Sequence, residues 1–247
     1  MGFNSSFSFD HHITIFSPQG KLLQIEYAER ASQKFGSFCI GMKGKDSVCF
    51  IVKKKKKNIV QEDILNFDYT SLGNFKGCIC SGLTGDVNMQ IKNLILISSE
   101  FYQTFGKKIS SKALVDRICE NTQLNTQEAF VRTLGIKTLL CGIDENTKPQ
   151  LYKCDPSGQS FSKWLCAIGK NEESIEYYIE KFKNFKPEKW GSKQVILISL
   201  LIFIRIEGWV DNASELIILI CKKNRYDFKK LKISTIDKFL CLLNRLF

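Results

Sequence analysis

Only 2 of the 247 residues are histidine, His11 and His12, adjacent near the start of the chain. Neighbouring residues on an extended strand point to opposite sides. No C-x-x-C pair or second histidine cluster completes a coordination shell around them. The pair therefore reads as structural, and no metal or other cofactor is expected. The 4 prolines mark no linker, and no repeat or low-complexity stretch divides the sequence, so one domain over residues 1–247 is expected. Long apolar runs are missing too. VILISLLIFI (195–204) and LIILIC (216–221) are far shorter than the roughly 20 residues of a spanning helix, which makes them core elements. The opening MGFNSSFSFDHH has neither a basic region nor an apolar stretch of the kind a secretory leader carries. A soluble protein with no membrane partner is expected.

Arginine is scarce as well. Of 36 basic residues 30 are lysine and 6 arginine, and they give a formal net charge of +11. Specific nucleic-acid readers depend on the bidentate fork of arginine, and this lysine excess is spread along the chain. The run KKKKK at 53–57 is its one dense patch. VKKKKKNIVQEDIL interleaves no aromatic residue, so it reads as a solvated turn after the apolar strand DSVCFIV rather than a nucleic-acid contact. Ten cysteines occur singly, apart from Cys78-Ile79-Cys80, and read as small reduced core residues.

Periodicity supplies the elements. Ser17 and Pro18 suit the cap and first position of a helix over 18–35, with Leu23, Ile25, Tyr27, Ala28, Ala31 and Phe35 on one broad apolar face. Strands follow at 37–43 and 47–53 around the turn GKD, and a third at 76–83. Helices are expected over about 86–105 and 112–126. Further strands lie at 135–144, 150–155 and 163–169, joined by turns such as DENTKP and DPSG. Helix, buried helix, strand and helix complete the chain at about 171–183, 188–207, 215–221 and 234–244. Strand blocks separated by helix pairs indicate an α+β layered fold.

The segment FDHHITIFSPQGKLLQIEYAERA (9–31) strongly resembles the N-terminal signature of alpha-type subunits of the 20S proteasome core particle. The similarity continues in family order through GKD (44–46), SGLTGD (81–86), RTLGIKTLLCGID (132–144) and PQLYKCDPSG (149–158). Phe9-Asp10, the stretch His12 to Pro18 and Tyr152-Lys153-Cys154-Asp155-Pro156 look most like the alpha-1 type. The resemblance implies a four-layer αββα sandwich of the N-terminal-nucleophile-hydrolase kind, two antiparallel sheets flanked by helices, with an N-terminal helix and a gate tail at 1–17. It implies a non-catalytic subunit of a heteroheptameric alpha ring. Partners would be other alpha subunits, beta subunits and proteasome activators or a regulatory particle, in cytoplasm and nucleus. Phe9, Asp10, Pro18 and Tyr27 match the family's gate cluster, with Phe9 in place of a tyrosine.

Three positions depart from the family pattern. Thr133 stands for a proline, Asn88 for an arginine, and Ser71-Leu72 for a lysine that receives the C-terminal carboxylate of activator tails. The catalytic sister class uses an N-terminal threonine whose free amine serves as base. Here the matching strand begins at Gly36-Ser37, after 36 residues that include the helix, so Ser37 is expected to be a strand residue. Two other readings stand beside this one: a stand-alone N-terminal-nucleophile hydrolase, and a lysine-rich nucleic-acid-binding module.

Overall fold

The computed structural model describes residues 13–54, 69–73, 75–128, 130–144, 148–181, 187–210, 212–223 and 225–244. Its first sheet contains β1 (Cys39–Lys43), β2 (Ser47–Lys53), β8 (Leu165–Ile168), β9 (Leu216–Lys222) and β10 (Arg225–Lys230), in the order β10-β9-β2-β1-β8. The second sheet contains β3 (Tyr69–Ser71), β4 (Lys76–Gly82), β5 (Ile136–Gly142), β6 (Gln150–Cys154) and β7 (Ser160–Ser162), in sequence order. All their pairings are antiparallel.

Side-chain alternation makes two cores from each central strand. Along β2, Val48, Phe50 and Val52 point between the sheets, where they meet Ile79, Leu139 and Leu151. Cys49 and Ile51 point the other way, onto α5 (Ser192–Glu207). A strand covered on both faces has to be apolar throughout, as SVCFIV is. Helix α5 is buried in turn because α6 (Ile233–Asn244) packs on it, and α4 (Glu172–Lys181) lies on β8. On the far side α2 (Thr84–Phe105) and α3 (Ser111–Gln127) cover the second sheet, with Leu94, Leu114 and Ile118 meeting Cys78 and Leu140. The result is the αββα sandwich expected from the resemblance.

Eight of the ten cysteines are buried in these layers; Cys119 is half-buried and Cys241 exposed. Burial pushes the thiols of Cys49 and Cys166 up to about 12, which leaves them protonated and unreactive.

The first helix differs from the sequence expectation. This helix, α1, runs Leu23–Phe35, not 18–35. Ser17 closes a separate turn: its Oγ accepts from the Lys21 N–H at 3.2 Å and its carbonyl from the Gly20 N–H at 2.8 Å. Gly20 has φ +75°, a left-handed conformation that stops helical propagation. The apolar face is also displaced. Ala28 and Ser32 are the residues of this helix that are buried, whereas Tyr27 and Phe35 are 40% and 50% exposed. The small side chains of Ala28 and Ser32 let α1 lie close on β4 and β5. Strands β3, β7 and β10 were not expected; DPSG leads from β6 into β7 and not directly to β8.

Candidate functional site

One end of the sandwich gathers the start of β1, the ends of β4, β6 and β8 and the start of β5. Register places Cys39 beside Ile168, Gly82 beside Ile136 and Thr138 beside Cys154. Helix α1 lies over this end. Its last turn delivers Gly36 into a slot that admits no side chain: a Cβ there would sit 2.3 Å from both the Ser32 carbonyl oxygen and Ser81 Oγ. Ser37 follows, buried, and its carbonyl accepts from Ser81 Oγ at 2.7 Å. Its nitrogen is joined to Gly36 in a peptide bond, and freeing it as the amine of a terminal nucleophile would require removing α1 together with its packing on β4 and β5.

Beneath α1 sits a set of four charges, of which Lys137, Lys153 and Glu172 are buried and Asp155 is partly so. Glu172, the first residue of α4, accepts from Lys137 Nζ at 3.1 and 3.0 Å and also from Lys153 Nζ. Asp155 Oδ1 lies 3.8 Å from Lys137 and 3.9 Å from Lys153. Two cations thus face two anions, and Glu172 also benefits from the positive end of α4. Burial raises the carboxyl of Asp155, and the two lysines pull it back. Glu29, reaching in from α1, is raised for the same reason and opposed by Lys137. Nearby, Glu207 accepts from Lys53 Nζ at 2.9 Å and from Asn171 Nδ2 at 2.8 Å, tying α5 to β2 and to the approach to α4. Such an arrangement clamps elements together.

The motifs SGLTGD and RTLG meet in a second charged contact. Asp86, in the first turn of α2, accepts from both terminal nitrogens of Arg132 at 2.7 and 2.6 Å, and from the Gly135 N–H at 2.9 Å. The hydrogen bonds from the guanidinium hold the Asp86 carboxyl below its ordinary value. That contribution to stability is complete above the unfolded carboxyl pKa of about 3.9 and is lost as pH falls through the lower folded value. Arg132→Ala should therefore destabilise the chain by about 1–2 kcal/mol at neutral pH, with the loss fading below about pH 4. Urea midpoints across pH read this directly; an equal loss at pH 3 and pH 7 would remove the carboxylate from the explanation.

Beside Arg132, Thr133 is buried and its hydroxyl has no hydrogen-bond partner within the described residues. Thr133→Val keeps the shape and deletes that hydroxyl, so it should stabilise the isolated chain by about 1 kcal/mol in thermal or urea unfolding. A loss of similar size would mean that the hydroxyl is satisfied.

Profiles of known families match in two places: that of the proteasome subunit over residues 33–201, and that of the N-terminal signature of A-type proteasome subunits over residues 9–31. The chain belongs to the proteasome subunit family. Among curated proteins it is 33% identical to proteasome subunit alpha type-2 of Dictyostelium discoideum, over 96% of this chain and 98% of that protein. It is 35% identical to proteasome subunit alpha type-7-A of Arabidopsis thaliana, over 76% and 74%. With proteasome subunit alpha type-7 of Trypanosoma brucei brucei it shares 34%, over 70% of each chain. It is an alpha-type subunit, of the non-catalytic class in the 20S core. Ser37 and the helix above it fit that class: the sandwich end is closed by α1.

The expected gate residues divide between regions. Phe9 and Asp10 lie outside the described residues, as do His11 and His12, the gate tail up to residue 12, and Lys55, Lys56 and Lys57 of the lysine run. Pro18 is exposed in the turn before α1, and Tyr27 is on α1 two turns before its end. Asn88 is exposed on α2. At Ser71-Leu72, the end of β3, a cleft of about 440 Å³ is lined by Ser71, Leu72, Lys76, Ile95, Tyr102 and Lys108. Lys76 Nζ is turned inward, to the Ile109 carbonyl and to Asp144 at 3.1 Å.

Neither charged contact was expected from sequence. The available signal for the first was two lysines set among apolar residues in the strands IKTLL and LYKC, positions that ordinarily face a core. The second joined two recognised motifs whose mutual contact no spacing reveals.

Proposed function

We propose that this alpha-type subunit takes one place in a heteroheptameric ring between other alpha subunits and a beta ring. Its N-terminal segment gates the axial channel, and its outer face docks activators of protein degradation. The observation that carries the reading is the position of α1. The helix closes the sandwich end with Ala28 and Ser32, while Phe16, Tyr27 and Phe35 remain exposed along the same segment. A helix that has already buried one face and still shows aromatic residues has surface for neighbouring chains to cover.

Gating is assigned to residues 1–17 with Phe9, Asp10, Pro18 and Tyr27. The support is chemical: MGFNSSFSF carries no charged side chain, and its three phenylalanines suit packing with neighbouring tails over a narrow pore. Removing residues 2–8 should raise basal peptide hydrolysis by the assembled particle without changing its composition, since the barrier is steric and the nucleophiles belong to other subunits. Equal turnover at equal assembly would make this tail a bystander.

For the place in the ring, the motif around Phe9-Asp10 and residues 152–156 favours alpha-1. The relatives named above carry type-2 and type-7 names and give no support to that position. Native mass spectrometry of the particle from its source, with cross-links read to the two neighbours, assigns it. Cytoplasm and nucleus are the proposed locations, read from the family resemblance; imaging of a tagged chain tests them.

A further inference from the structure

At the β1–β2 turn the chain has a cavity of about 570 Å³, separate from the end covered by α1 and from the cleft beside Ser71. Four lysines line it, Lys43, Lys45, Lys148 and Lys189, against a single carboxylate, Glu188. Glu188 is itself engaged, 3.5 Å from Lys148 Nζ. The remaining wall is apolar and includes Trp164, with Pro149 and Pro187. The frame is fixed by backbone contacts. Lys43 N–H donates to the Trp164 carbonyl at 2.9 Å, Lys45 N–H to the Trp190 carbonyl at 3.0 Å, and Trp190 N–H to the Pro187 carbonyl at 3.0 Å. Gly44 is pressed against the start of α5, where a Cβ would lie 2.4 Å from Val195 Cγ2.

We propose that this cavity binds a small molecule carrying an aromatic ring and two or more phosphates, the chemistry of a nucleoside diphosphate. Like charges held around one cavity repel one another, and an anion with several charged oxygens relieves all of them at once. Ammonium groups act on phosphate as point charges, whereas planar carboxylates are met best by the arginine fork, and no arginine lines the cavity. The tryptophan and the two prolines provide a face for a ring, which a bare phosphate would leave unused. The volume falls in the range of about 300–1,000 Å³ that small-molecule sites occupy. None of this depends on ring assembly or on gating.

Titration calorimetry of the full-length chain tests it with ADP, pyrophosphate, adenosine and a ten-residue glutamate peptide as separate probes. ADP is expected to bind best, pyrophosphate more weakly, and adenosine not measurably. Lys45→Gln/Lys189→Gln should weaken ADP by about tenfold or more. Trp164→Phe should retain ADP, because a ring is kept at that wall. Lys92→Gln/Lys112→Gln, on the exposed faces of α2 and α3, controls for the general positive charge of the chain and should leave ADP affinity unchanged. No binding of ADP, equal weakening by the two double variants, or tighter binding of the glutamate peptide than of ADP would each overturn the proposal.

Discussion

Replacing Glu172 with leucine is expected to lower the stability of the isolated chain by about 3–5 kcal/mol, the usual cost of breaking a buried ion pair from one side. Glu172 is the carboxylate that Lys137 and Lys153 share, and all three side chains are less than a tenth exposed. Without it the two lysines lose the carboxylate both are hydrogen-bonded to, and Asp155 lies farther off, at 3.8 and 3.9 Å. Removing one charge of each sign has a different effect. Glu172→Leu/Lys153→Met leaves Lys137 with Asp155, 3.8 Å away, and should recover much of the loss, because apolar replacement of a buried pair is often neutral. Urea unfolding of wild type, single and double variants measures the difference. A loss below about 1 kcal/mol for the single variant, typical of an exposed pair, would show that water already screens this cluster.

The second large effect separates folding from assembly on one helix. Ala28 is buried under α1, on the side resting on β4 and β5, and Glu29 and Asp155 nearby are already carboxylates pushed upward by burial. Ala28→Asp adds an unpaired carboxylate there and should cost about 3 kcal/mol or more, lifting α1 from the sandwich end. Leu23, at the start of the same helix, is half-buried. Leu23→Asp should leave the urea midpoint of the isolated chain near that of wild type and reduce its incorporation into rings, read by native mass spectrometry. If both variants unfold alike, or if Leu23→Asp assembles at wild-type yield, the outward face of α1 has been misassigned.

The same helix shows where periodicity stops being informative. Apolar spacing over 23–35 marks a helix correctly, because a side chain every three or four residues has to be buried against something. It does not say against what. Ala28 and Ser32 are buried against the chain's own sheets, whereas Tyr27 and Phe35 stay 40% and 50% exposed, although all but Ser32 count as members of one apolar stripe or its margin. Ser17 and Pro18 have the composition of a helix start and form a turn instead, since Gly20 adopts a left-handed conformation two residues later.

The order and type of the long elements, and the class of protein, are legible in the residues themselves. Residues such as SVCFIV and VILISLLIFI are apolar enough that only a strand covered on both faces, and a helix covered nearly all round, can accommodate them. The motifs from FDHHITIFSP to DPSG run in an order that belongs to one family. The tertiary structure alone decided the short edge strands β3, β7 and β10, which owe their form to a neighbour's free hydrogen-bonding groups rather than to their own composition. It alone brought Lys137, Lys153, Asp155 and Glu172 together, and Asp86 to Arg132. A charge is ordinary on a surface and costly in a core, and which of the two it is depends on partners up to 46 residues distant.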